Sequence, residues 1–456
     1  MPSFISSFAS IVLLGSLFVT NLFGQSHEQI NIDVVEFDLE NGLHVILHRD
    51  ASMPIVTIDV WYHVGSKNER EGRTGFAHLF EHMMFQGSGN IPENGHFKHV
   101  QQAGGTLNGS TTVDRTNYYE TLPSNQLELG LWLESDRMKS LTITQRNLDN
   151  QREVVKEERR TRYDNVPYGT MSEALFSRAY KVQSYKWTTI GSMADLNRAS
   201  LEDVRQFHAM YYVPNNASLC IAGDIDYEQT KKLVRKYFTD ISRGTEEIFR
   251  PTTTEPPQTA QVRDTIFDNV RLPALMMGFH IPDRNHPDFA ALDLLASILS
   301  DGRSSRLYQR LVYKERLAQS VSSSANGMEM PGLFIFRSTA QMGKSIQDVE
   351  RVLWEEIKII QDESVREREL EKAKNNQEAS FINRLRSVFS KADLLNSYHV
   401  FQKNARNINT DLARSLAVSA QDVQRVARIY FGADKATVIH CLPKGKISSS
   451  KKNELE

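Results

Sequence analysis

The sequence predicts an α+β protein of two similar halves, each a mostly antiparallel sheet covered by helices. Three observations predict it. Strand and helix patterns intermingle without the regular alternation that a parallel sheet requires. Residues 247–262 carry three prolines among Thr, Gln and Glu, with little to bury, and so read as a linker. The pattern beyond the linker is a worn copy of the one before it. A length of 456 residues also exceeds what one compact core accommodates. The expected organisation is a signal peptide at 1–24, a first domain at 30–246, the linker, a degenerate repeat at 263–445, and a polar tail at 446–456.

Element by element, the chain opens with no charged side chain before His27, and residues 8–23 are strongly apolar. That run is short for a membrane span and fits an export signal. The mature chain is then periplasmic or secreted with no membrane span, or membrane-anchored if the segment stays uncleaved. Residues 34–39 and 43–48 flank Asn41-Gly42, a strong hairpin signal. Residues 55–64, 117–122 and 217–222 read as further strands, and helical stretches lie near 74–86, 124–139, 144–163 and 200–211. After the linker come strands near 274–280, 331–338 and 435–442. Helices accompany them near 287–300, 304–317, 345–362 and 366–386.

Charge narrows the function classes. The 54 basic and 56 acidic side chains leave a net charge of -2, without the basic excess that nucleic-acid binding needs. The two cysteines, Cys220 and Cys441, lie in apolar runs and read as small core residues, their redox state open.

The chemistry concentrates in Thr74-Gly75-Phe76-Ala77-His78-Leu79-Phe80-Glu81-His82-Met83. Thr74 is placed to cap a helix. At helical periodicity Phe76, Leu79, Phe80 and Met83 share one face, and His78, Glu81 and His82 share the other. Two imidazoles one turn apart suit two corners of a tetrahedral zinc site, and the carboxylate beside them suits a general base acting on water. In the copy, Asp288-Phe289-Ala290-Ala291-Leu292 aligns with Gly75-Phe76-Ala77-His78-Leu79, so His78, Glu81 and His82 fall on Ala291, Leu294 and Leu295. A core helix needs no polar triplet there. A catalytic zinc needs a third protein ligand. Glu158, in the polar helix near 144–163, shares a face with Val154 and Val155, the apolar residues expected to be buried, whereas Glu157 points away. The competing account of Glu158 is a surface pair with Arg162. His96 and His99 read as a solvated helix end, while His63, His208, His280 and His440 read as packing residues.

With these residues in view, the chain resembles the pitrilysin, insulinase and mitochondrial-processing-peptidase family of inverted-motif (HxxEH) zinc metallopeptidases, in its bacterial small-chain form. The resemblance implies His78, His82 and Glu158 as ligands of one Zn2+ per chain and Glu81 as catalytic base. It also implies two similar halves of which only the first holds metal. Asn108-Gly109-Ser110-Thr111 resembles the family's edge strand, which implies backbone pairing with an extended peptide substrate.

Two departures stand out. Where relatives often carry a second Glu, seven positions before the ligand, this chain has Gln151, a neutral partner behind the ligands. Where active relatives carry an Arg and a Tyr in the second half, this chain has Val312 and Gln319. The expectation is a zinc-dependent endopeptidase acting on peptides or unfolded segments, as a homodimer or as the zinc-bearing member of a heterodimer whose other chain holds the Arg/Tyr pair. The alternative is a non-catalytic core subunit of the same fold.

Overall fold

A computed structural model describes residues 31–444; the expected signal peptide and polar tail lie outside these residues. The first sheet has six strands: β1 (Val35–Asp38), β2 (His44–Arg49), β3 (Ile55–Tyr62), β4 (Thr106–Thr111), β5 (Thr116–Pro123) and β6 (Ala217–Gly223). Their order is β1-β2-β6-β3-β5-β4, antiparallel throughout except for the β2–β6 pair. Gly42, at φ 89°, makes the turn of the first hairpin and sets Val35 opposite Leu47.

The second sheet comprises β7 (Val262–Asp268), β8 (Ala274–Ile281), β9 (Ala318–Asn326), β10 (Gly332–Ala340) and β11 (Ala436–Pro443), ordered β7-β11-β8-β10-β9. Only β7–β11 is parallel. Strand for strand this repeats β2-β6-β3-β5-β4 in order and pairing sense. Two strands differ from expectation. β7 starts at the last residue of the expected linker, and β9 carries a Ser-rich sequence whose inward face includes Ser323 and so gave no apolar alternation.

The helices used below are α1 (Phe76–Met83), α2 (Gly95–Gln102), α3 (Leu127–Ser140), α4 (Gln145–Arg159) and α5 (Met171–Ala179). None among the described residues is long and apolar enough to cross a membrane. Although the sheets divide at the linker, the helices do not. Leu175 of α5 packs with Met276, Ile335 and Ile439 of the second sheet. In return, Leu394 and Leu395 of the Val388–Gln402 helix pack with Ile46 and Ala222 of the first. Cys441 and Cys220 sit beneath these crossed helices, buried and unbonded. Each buried leucine-sized side chain contributes about 2 kcal/mol, so each half completes the other's core.

Charge also joins the halves. Lys67 reaches both Asp114 (3.1 Å) and Glu329, and Glu329 lies 2.6 Å from His63 Nε2. The Glu329 N–H donates to Asp114. Burial alone would raise the Glu329 carboxyl, but His63 and Lys67 outweigh it and bring the pKa down to about 2. Burial holds His63 below its ordinary value, so its charge adds only in acid. A carboxyl depressed in the folded state stabilises above its unfolded pKa, and that contribution fades as pH falls from about 4.5 toward about 2. The Tm of the wild type therefore falls through this window. Glu329→Gln starts lower at neutral pH and falls less steeply, as thermal melts across pH will show.

Candidate metal centre

Helix α1 begins in a confined turn. Gly75 is left-handed at φ 88°, and a Cβ there would lie 2.6 Å from the Ile190 carbonyl oxygen. The expected Thr74 cap does not form, because the left-handed turn carries residue 74 out of capping position; its N–H donates to Asp195 instead. The buried Glu69 carboxylate takes the capping role, accepting from the N–H groups of Gly75 (2.9 Å) and Ala77 (2.8 Å). Phe76, Leu79, Phe80 and Met83 enter the first core, leaving His78, Glu81 and His82 on the other face.

Helix α4 brings the third donor. Glu158 Oε2 lies 3.7 Å from His78 Nε2 and 3.3 Å from His82 Nε2, and one ligand atom from each residue falls within 4.8 Å of the others. The sequence argument for Glu158 relied partly on Val154, which is 47% exposed and lines the cleft. The inward line is Leu148, Gln151, Val155 and Glu158, at helical spacing; Leu148 and Val155 are buried, and the two polar members face α1. Val154 lies on its flank. The pair with Arg162 forms at the other oxygen of Glu158 (2.7 Å), which leaves Oε2 facing the two imidazoles.

These residues fit a zinc ion. Two nitrogens and one oxygen on two packed helices match a catalytic donor set. Gln151 Oε1 lies 3.3 Å from His82 Nδ1, which leaves Nε2 for the metal. Burial lowers the His78 pKa to about 4, keeping the ring neutral and able to ligate. The hydrogen bond with His82 holds the Glu158 carboxyl below the usual range, as an anionic donor requires.

Glu81 stands apart from the three donors. Its Oε2 accepts from Thr111 Oγ1 (2.6 Å), and burial raises its pKa above the ordinary carboxylate value. It faces β4, the free edge of the sheet. A Cβ on Gly109 would approach Glu81 Cγ to 3.2 Å, so any side chain there would crowd Glu81. The Thr112 N–H donates to Arg115 O, and antiparallel alternation from that pair turns the backbone groups of Gly109 and Thr111 toward the open edge. The Gly109 N–H is held by its neighbour, Asn108 Oδ1, at 2.9 Å. A cavity of about 670 Å³ joins Asn108, Gly109, Ser110, Thr111 and Gln151 to the His78/Glu81/His82/Glu158 group.

Arg115 went unread in the sequence. Its Nη1 donates to the Ser110 carbonyl (2.7 Å) and hydroxyl (2.6 Å) and to Asn117 Oδ1 (3.0 Å), fixing the edge strand. A half-buried arginine just past a turn leaves no periodic signal. Other histidines depart from expectation. His96 is buried in α2 rather than solvated, and burial lowers its pKa to about 3, whereas His99 meets Trp132 edge-on. His63 and His440 pair with Glu329 and Glu350 rather than merely packing. In the second half, Ala291, Leu294 and Leu295 are buried core residues. Tyr313 is 68% exposed, and Arg310 is engaged by Glu315, Glu355 and Glu356.

Known proteins resemble this chain in sequence and in fold. Residues 44–192 match the family model described as Insulinase (Peptidase family M16), and residues 198–377 match Peptidase M16 inactive domain. The chain is 31% identical over 436 residues to the zinc protease PqqE of Helicobacter pylori, covering 95% of this chain and 96% of that protein. It is 23% identical over 417 residues to the uncharacterized zinc protease YmxG of Bacillus subtilis, covering 91% and 100%. The crystal structure of a protease from Helicobacter pylori superposes with a TM-score of 0.87 at 31% identity, covering 91% of this chain and 100% of that one. A peptidase M16 inactive domain from Pseudomonas fluorescens shares the fold, with a TM-score of 0.81 at 18% identity, covering 91% and 98%. With both halves matched and the Helicobacter pylori zinc protease aligned almost end to end, the chain belongs to the insulinase family of peptidases, peptidase family M16.

Proposed function

We propose that the chain is a zinc-dependent endopeptidase that cleaves peptides or unfolded polypeptide segments. The observation that carries this reading is the convergence of His78, His82 and Glu158 beside a separate, half-buried Glu81 at an open strand edge. Bound zinc would supply Lewis-acid polarisation and a more acidic water. The residues of the chain do the rest. An extended substrate adds to β4 through the outward backbone groups of Gly109 and Thr111 once Asn108 releases the Gly109 N–H. Ser110 is held to β5 by Arg115, which keeps that edge straight. Glu81, kept basic by burial and oriented by Thr111, accepts a proton from the attacking water and passes it to the leaving amine.

The test is direct. The mature chain should purify with one zinc and cleave a quenched peptide, lose cleavage to a chelator, and regain it with zinc. A chain that binds no zinc, alone or with a partner, would end the proposal. Gly109→Val fills the space before Glu81 and is expected to lower kcat/KM about hundredfold, with zinc content and Tm unchanged; metal analysis and peptide kinetics check it.

A paired enzyme is the second reading. Val312 and Gln319 stand where active relatives carry an Arg and a Tyr, and the nearby Arg310 is tied into its own acidic cluster. A related chain bearing that pair would complete the site, and mixing the two chains would raise cleavage far above either alone. The uncharged apolar leader supports export to the periplasm or beyond.

A further inference from the structure

A second set of nitrogen and oxygen donors lies where the first hairpin meets the helix crossing from the second half. Glu36 of β1, His44 of β2 and His399 of the Val388–Gln402 helix each place one ligand-type atom within 4.8 Å of the others. Among the described residues, no other such group accompanies the His78/His82/Glu158 set. His44 Nε2 lies 3.3 Å from Glu36 Oε2, and its Nδ1 lies 2.7 Å from Asp38 Oδ1. The arrangement parallels His82, whose Nδ1 meets Gln151 while Nε2 faces Glu158. A carboxylate behind an imidazole fixes the tautomer and raises the basicity of the nitrogen in front.

The His399 ring lies flat on His44, with centroids 3.5 Å apart and planes 4° from parallel. Burial lowers the His399 pKa to about 4, so this ring is neutral, the form that ligates, at ordinary pH. All three side chains are partly exposed, so an ion can reach them. Packing alone would account for the stack, but not for a carboxylate at each nitrogen of His44.

We propose that Glu36, His44 and His399 form a second site for a divalent transition metal, which clips the crossed helix to the β1–β2 hairpin. Imidazole and carboxylate together select Zn2+, Ni2+ or Cu2+ over Mg2+ or Ca2+. The stacked rings hold their nitrogens in parallel planes, so binding requires a turn of His399 about its Cβ–Cγ bond that aims a nitrogen at the ion. That turn, the positive charge of Lys403 near His399, and Arg406 at 3.8 Å from Glu36 make the site weaker than the one on α1 and α4. Its effect is structural: it ties the hairpin to a helix from the far end of the chain, adding a metal link to the crossed packing of the two halves.

Titration of the full mature chain with zinc, read by dialysis and metal analysis, tests this. The wild type should take up a second equivalent about tenfold or more weaker than the first, with Tm rising by several degrees as it binds. His399→Phe keeps a ring on His44 but has no donor. It should bind only the first equivalent, lose the Tm rise, and cleave peptide normally at one equivalent of zinc. Glu158→Ala should show the converse, losing the tight equivalent and keeping the weak one. Uptake of only one equivalent by the wild type at millimolar zinc would overturn the proposal, as would a His399→Phe chain that keeps the second equivalent and its Tm response.

Discussion

Glu81→Gln is expected to keep its zinc and to lose peptide cleavage by about 10²–10⁴-fold. The substitution preserves shape, and its amide oxygen can still accept from Thr111 Oγ1, so the β4 edge and the α1 packing stay in place. What disappears is the ability to take a proton. Zinc content should not follow, because Glu81 is absent from the group of donor atoms formed by His78, His82 and Glu158. Metal analysis beside single-turnover cleavage of a quenched peptide separates the two effects. Unchanged cleavage would remove Glu81 from its role, and lost zinc would make it a ligand.

The motif on α1 was legible because its chemistry is local. Four apolar residues at helical spacing define the buried face, and the triplet opposite has no structural reason to be ionisable. The hairpin at Asn41-Gly42 was legible for the same reason, since its turn requires a positive φ that glycine supplies. Glu158 was reached by an argument only partly sound, in which Val155 is buried and Val154 is not. A helix with few apolar residues leaves its inward line ambiguous by one position until its partner helix is known.

What could not be read were the long-range features. Nothing local tells Leu175 that its core lies beyond the linker, or Leu395 that its core lies before it. The Glu69 cap, the Arg115 brace and the Lys67–Glu329 joint likewise depend on residues brought together only by the fold. Strand β9 was hidden because Ser323 takes an inward place between Val321 and Ala325, which breaks the apolar alternation.

The proposed metal centre predicts a graded series along α4. Glu157 is 63% exposed and bonded to Arg160, so Glu157→Ala should leave zinc and cleavage as they are. Gln151→Ala removes the group behind His82 and should weaken zinc by about 10–100-fold. Glu158→Ala removes the proposed ligand and should cost more than either, leaving the chain without its tight zinc and without cleavage. The fold should survive, because the Arg162 guanidinium released by this change is already 72% exposed and returns to water. Competition of each variant against a zinc chelator, with a melt to confirm folding, gives the order. Should Glu157→Ala lose zinc while Glu158→Ala keeps it, the inward line of α4 runs through the other carboxylate, and the three-donor centre described above does not exist.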